Sequence, residues 1–250
     1  VSKSSGLGNA FWIGGYDLSG DTQQAKMTSP IATFDFTSIQ ESAFERQGGR
    51  RDGQWNITTF FNPGPAANAA HLVLSALPTA DTIATYAFGT ALGTAAGCMQ
   101  AKQIGYDPTR DNKGMLTFAV QLLAEAYGVE FGLLQTPGIR TDTVATNGTS
   151  WDWGAATNFG AQAYLQLTAF TGTDVTIKLQ DSADNTTFAD VASGAFTQVT
   201  STTPQAQRIA LANNATLRRY VRVSTVTSGG FTSASFAVVV NRNPIAGVVF

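Results

Sequence analysis

Between Gln54 and Thr59 the chain alternates residue by residue, with Gln54, Asn56 and Thr58 on one side and Trp55, Ile57 and Thr59 on the other. A period of two is the mark of a half-buried strand. The same alternation returns in Leu116–Leu122 and in Val175–Gln180, where Val175, Ile177 and Leu179 oppose Thr176, Lys178 and Gln180. The clearest helical stripe lies between residues 66 and 77. There Ala69, Leu72, Val73, Ala76 and Leu77 share a face, after the turn Asn62-Pro63-Gly64-Pro65 and before Pro78. These patterns predict a mainly β chain with one short helix, built around the strand–helix–strand unit of residues 51–87.

Reading outward from that unit, Phe11–Tyr16 forms a first strand broken by Gly14 and Gly15, Asp17–Ser29 reads as a polar loop, and Ile31–Phe36 as a second strand. Thr37–Gly53 is a long charged excursion with one large apolar residue, Phe44, among Glu41, Glu45, Arg46, Arg50, Arg51 and Asp52. Such a segment is either a mobile loop or an ordered arm that docks on a neighbour, and the residues alone leave both open. Met99–Tyr106 reads as a strand ended by Asp107 and Pro108. Met115–Tyr127 reads as another, although its last residues also suit a helix, and Val129–Gln135 closes this half.

Thr136–Ser150 is the most linker-like stretch, with Pro137, Gly138, Asn147 and Gly148 among polar residues, so the boundary is placed between domains 1–147 and 148–250. A chain ending at Asn147 is then expected to fold by itself. Beyond the boundary come seven or eight short strands, counting Trp151–Trp153 as an edge, which is the pattern of a β-sandwich. The apolar tail Pro244–Phe250 is expected to dock.

Charged residues make up only 13% of the chain and the formal net charge is −2, which argues against a nucleic-acid reader with a basic face. A weakly charged, Thr-rich surface suits an all-β protein whose solubility comes from hydroxyls and amides, or one that hides much of its surface in an assembly. With one His and one Cys, zinc sites built on several such ligands are excluded, and every triad would have to use His71. Cys98 reads as a small buried apolar residue. Asp181, Asp184 and Asp190 sit in an oxygen-rich turn where Ca²⁺ is conceivable, but Asp, Ser and Asn are also what a hairpin turn requires. Glu125 and Glu130 would serve as a glycosidase pair only across a cleft. The expectation is a non-enzymatic protein with no cofactor or metal. No signal-peptide layout and no bilayer-length apolar run occur, which predicts a soluble protein made in a cytoplasm, without membrane insertion. Trp151, Trp153, Phe159 and Tyr164 cluster at the start of the second domain. Trp151, Trp153 and Tyr164 are candidates for surface glycan contact, against the alternative that they pack in a core or domain interface.

Four stretches taken in order carry a resemblance: Gly6–Asp21 (GLGNAFWIGGYDLSGD), Ser42–Asn62 (SAFERQGGRRDGQWNITTFFN), His71–Thr85 (HLVLSALPTADTIAT) and Ala101–Arg110 (AKQIGYDPTR). Together they resemble the major tail tube protein of long-tailed, siphovirus-type bacteriophages, in particular those infecting actinobacteria. The resemblance implies a tail-tube β-sandwich or barrel domain followed by a C-terminal Ig-like sandwich on the tube exterior. It also implies homohexameric rings that pair edge strands between subunits and stack into a hollow tail tube. Other tail proteins would sit at the tube ends, and phage DNA would pass through the lumen without stable binding. The location implied is the tail of the virion, assembled in the bacterial host cytoplasm. It tips the charged excursion toward docking, with Phe44, Glu45, Arg46, Arg50 and Arg51 as the inter-ring contact. Residues 1–140 hold nine basic and eleven acidic side chains, a balance that lets DNA slide. The alternative from a different class is a carbohydrate-binding adhesin or capsid-decorating module.

Overall fold

The computed structural model describes residues 5–66, 68–76 and 80–245. Strand accounts for 54% of the described residues and helix for 2%, so their backbone donors and acceptors find partners almost wholly across strands, in antiparallel sheets. The first half contains β1 (Ala10–Ile13), β2 (Tyr16–Asp17), β3 (Thr22–Thr28), β4 (Ile31–Asp35), β5 (Arg46–Arg51) and β6 (Gln54–Phe60). After the helix α1 (Ala70–Leu74) come β7 (Thr82–Ala87), β8 (Ala95–Arg110), β9 (Leu116–Ala124) and β10 (Glu130–Leu134). The second half contains β11 (Arg140–Asp142), β12 (Trp151–Asp152), β13 (Ala161–Gly172), β14 (Thr176–Ser182), β15 (Ala189–Ala195), β16 (Gln205–Ala210), β17 (Tyr220–Val226) and β18 (Phe231–Arg242).

The long strand β8 organises the first half. Its start pairs with β7 on one edge and β10 on the other, and after a register shift between Gln103 and Gly105 its remainder pairs only with β9. A bulge bends a strand, and here it lets one strand serve two sheet regions, β10-β8-β7-β1-β2 and β3-β6-β9-β8. Between them lie Phe11, Trp55, Ile57, Met99, Val120 and Leu122, all buried. Burying side chains of this size contributes about 1.5–3 kcal/mol each. Pro108 does not end the strand, contrary to expectation: among the described residues, 102–110 have no strand partner on their second edge, where a missing N–H costs nothing.

The helix is shorter than the stripe over residues 66–77 predicts, and residues 67 and 77 lie outside those described, as does Pro78. Its first free N–H, on Ala70, is accepted by the distant Asp21 carboxylate, which also binds the Asn62 amide. The buried face is Ala69, Ala70 and Leu74, while Leu72 points outward and is 49% exposed. Asp17–Ser29 is likewise not a loop. Thr22–Thr28 pairs with β6, which supplies the hydrogen bonds that its polar composition concealed.

In the second half β16-β13-β18 faces β12-β17-β14-β15 across a continuous apolar core that includes Leu165, Ile177, Leu179, Val223, Phe236 and Val238. This is the expected sandwich, and Val175, Ile177 and Leu179 point into it. Phe196–Val199 forms no strand of its own; Val199 makes an isolated bridge to Val175.

The two halves share a sheet and a core. β18 pairs with β13 on one edge and with β10 and β11 on the other, through Leu133↔Val240 and Leu134↔Val239. Trp12, Ile83, Cys98 and Leu134 from the first half pack with Tyr164, Ala237 and Val239 from the second. The polar stretch read as a linker is built into this junction: Thr136 is fully buried and accepts the Val238 N–H through its hydroxyl. Arg140 reaches the Val223 carbonyl at 3.0 Å, and the Gly148 N–H donates to the same oxygen. Its polarity satisfies backbone groups at the seam rather than conferring flexibility. Of the tail Pro244–Phe250, residues 246–250 lie outside those described.

Candidate assembly surfaces

The sheet β3-β6-β9-β8 has two faces of opposite character. In register across its strands, Ala25, Ile57, Val120 and Tyr106 point to the core, as do Met27, Trp55, Leu122 and Gln103. The intervening rows are Gln24, Thr58, Ala119 and Asp107, then Lys26, Asn56, Gln121 and Gly105, and they face outward. These rows hold one Lys against one Asp, and the next outward row, Thr28, Gln54, Leu123 and Lys102, adds a Lys that Asp81 pairs at 3.3 Å, so that outer face is nearly neutral. Among the described residues the sheet also has two free edges: β3 pairs only with β6, and β8 beyond Ala101 only with β9. Four antiparallel strands put those edges in opposite directions.

The charged excursion of residues 37–53 is in part a strand. β5 pairs with β4 to make a two-stranded arm that continues the β3–β6 hairpin, because Thr28↔Gln54 is followed outward by Asp52 N–H to Pro30 carbonyl and then Ile31↔Arg51. Its turn is held by the Glu45 N–H to Thr37 Oγ1 (2.8 Å) and by Asp35, which accepts from the Thr37 hydroxyl and N–H. These Thr37 bonds lower the Asp35 pKa. Phe34 lies across Gly49, where a Cβ would come within 2.6 Å of the ring. Ile31, Phe34, Phe36 and Phe44 are nonetheless more than half exposed, Phe44 at 71%, with the Arg46 guanidinium 4.5 Å over its ring. Glu45 and Arg50 are exposed as well, and Arg51 is half-buried at the arm's base. The two-stranded ribbon therefore leaves an aromatic surface uncovered in the subunit.

The aromatic group considered for glycan contact does not form a surface platform. Tyr164 is buried, and its hydroxyl donates to Glu130. Trp151 lies against Gly93 of the first half, where a Cβ would fall 2.3 Å from the indole ring. Trp153 packs on the sandwich core with Arg242 over its ring at 5.0 Å. Core and interface packing account for all three, because large flat rings fill the seam between sheets.

Glu130 is also unavailable as a surface acid. It is fully buried, Arg208 clamps it with two hydrogen bonds of 3.0 Å, and that guanidinium stacks on Tyr127 at 3.7 Å. Burial opposes the Arg208 charge, but the bonds to Glu130 and Tyr164 outweigh it and hold its pKa up. Burial, reinforced by the Glu130 charge, pushes the Tyr164 phenol well up, and burial does the same to the Cys98 thiol. No sequence signal singled out Arg208, since its partner lies 78 residues away. His71 contacts the Tyr106 hydroxyl at 2.7 Å among Phe61 and Phe118, as part of an aromatic cluster. The three carboxylates of the acidic turn go to separate partners. Asp184 accepts the Thr187 and Thr186 N–H groups, which depress its pKa, Asp190 pairs with Lys178, and Asp181 accepts from Arg218 N–H. Asp174 at the 227–229 turn is held low mainly by the Ser228 N–H.

No protein-family model and no curated protein matches the chain. Among solved structures, a chain of the virion of a native gene transfer agent particle is 10% identical, with a TM-score of 0.40, covering 52% of this chain and 98% of its own. A chain from the tail of an empty gene transfer agent particle with C6 symmetry has a TM-score of 0.38 at 11% identity, over 52% of this chain and 98% of its own. The Dit protein of phage SPP1 is 11% identical with a TM-score of 0.34, over 93% of this chain and 98% of its own. At these values they are loose resemblances to components of phage-like tails.

Proposed function

We propose that this is a non-enzymatic structural protein of a phage-type tail that polymerises as stacked hexameric rings into a hollow tube conducting DNA. The observation that carries this reading is the sheet β3-β6-β9-β8, with its neutral outer face and two oppositely directed free edges. Rotating a copy about an axis beside the sheet brings β3 of one subunit against residues 102–110 of the next in antiparallel sense. A closed ring then leaves neither of these two edges unpaired. In such a ring Gln24, Asn56, Thr58 and Gln121 line the bore, presenting amides and hydroxyls with little net charge, so phosphates meet no basic track and DNA slides. The order of six comes from the sequence resemblance.

The arm formed by β4 and β5 projects beyond the sheet along its strands, the direction in which rings stack, and Phe44, Glu45, Arg46, Arg50 and Arg51 are assigned to the inter-ring contact. The second half, Ig-like by the resemblance, is assigned to the tube exterior, with other tail proteins at the tube ends. Electron microscopy of the purified protein tests the reading. Long tubes with a central bore are expected, and Phe44→Ala with Arg46→Ala should leave folded subunits or single rings. Compact monomers at every concentration would refute polymerisation, and full-length tubes from the double variant would refute the role of the arm.

A further inference from the structure

The arm leaves the sheet at one end of its strands; what lies at the other end is equally uncovered. Register places Thr28, Gln54 and Leu123 at the arm end and Thr22, Phe60, Thr117 and Arg110 at the opposite end. At that opposite end Phe60, Phe61, Leu72 and Met115 are 37–49% exposed, brought together by the Phe61 N–H to the Leu116 carbonyl and by Phe61 packing on His71. The end of β8 and the hairpin turn to β9 flank them with Arg110, Asp111 and Lys113, none of which is ion-paired among the described residues. The arm mirrors this, since Phe34, Phe36 and Phe44 sit beside Glu41, Glu45, Arg46 and Arg50, also without ion pairs among the described residues.

We propose that the surface of Phe60, Phe61, Leu72 and Met115 with the β8–β9 turn is the receptor for the arm of a second copy of this chain, docked head to tail. The inference rests on the arm being an inter-ring contact and adds where it lands. Two different apolar patches at opposite ends of one strand make a heterologous contact, which repeats by translation and propagates without limit. An arm-to-arm contact would be isologous and stop at a pair of rings. Mixed charges at both patches allow cations to meet carboxylates across the contact, and wrong registers set like charges together. The strand β6 between them spans roughly 20 Å at ~3.3 Å per residue, so donor and receptor on one subunit are too far apart to satisfy each other.

Cross-linking within tubes tests this. Ser42→Cys marks the arm tip and Asn112→Cys the β8–β9 turn, with the buried Cys98 left in place. Mixing the two single variants before assembly and adding a short bismaleimide should give heterodimers that neither variant gives alone. Both substitutions on one chain should give a ladder of multiples on a denaturing gel. Leu72→Glu with Met115→Glu, both exposed positions, should leave circular dichroism unchanged and abolish long tubes. Homodimers from Ser42→Cys alone, or normal tubes with no cross-link, overturn the receptor assignment. If Phe44→Ala with Arg46→Ala still abolishes tubes in that case, the arm reading stands. Failure of the unaltered chain to form tubes overturns both.

Discussion

Arg208 shows how much one side chain can hold. It neutralises Glu130 in a site closed to water and bridges β16 to β10 across the two halves. Breaking a buried pair leaves an uncompensated charge, so Arg208→Met should cost about 3–5 kcal/mol in denaturant unfolding. A loss below about 1 kcal/mol would mean that water reaches Glu130. Gly15 acts by its absence of a side chain: at φ 87° its Cβ would lie 2.2 Å from the Gln205 nitrogen, and its N–H donates to Gln166. Gly15→Ala should therefore destabilise by about 1–3 kcal/mol through overpacking alone. Asp152 supplies a pH test. The Arg219 hydrogen bond and the Gly154 N–H lower its pKa from 3.8 to about 2. A depressed carboxyl stabilises the fold fully above its unfolded value and ceases to do so as pH falls through the folded one. Carboxyl NMR should place the Asp152 titration near pH 2, and Arg219→Ala should return it toward 3.8. An unmoved midpoint in that variant would show that Arg219 does not set it.

Among the elements, the arm and the last strand behave in opposite ways. β4 and β5 touch little beyond each other, and every residue of β4 stays exposed, so this ribbon adds nothing to the subunit's own core. β18 is paired on both edges, and its residues Phe236 to Val240 belong to the sandwich core on one face and the shared core on the other. Removing it strips β10 of its neighbour and exposes Trp12, Leu134 and Cys98. A chain ending at Asn147 should accordingly be insoluble, in contrast to what its linker-like composition predicts. Soluble, folded protein in the supernatant after expression would show that the first half closes its own core.

For the molecule as a whole, the shared sheet predicts that the halves unfold together. Calorimetry of the dispersed subunit should show one transition, and two resolved peaks would contradict the coupling. Cys98 reports on the same event: buried, with its thiol pKa raised by that burial, it should resist thiol reagents until global unfolding. Much of this was legible from the residues. Alternation marked β6, β9 and β14 because solvent lies on one side and core on the other, which imposes a period of two on composition. The sandwich followed from the spacing of its turns. The burial of Tyr164 was one of the two readings its residue type left open, but the pairing of Glu130 with Arg208 and the seam built from Thr136 and Arg140 were not legible. Nor were the exposure of Leu72 and the free edges of β3 and β8. Local sequence encodes which residues prefer which face of their own strand. Which strand lies alongside, and which edge is left without a partner, depends on contacts between residues tens of positions apart, and only the folded chain brings those together.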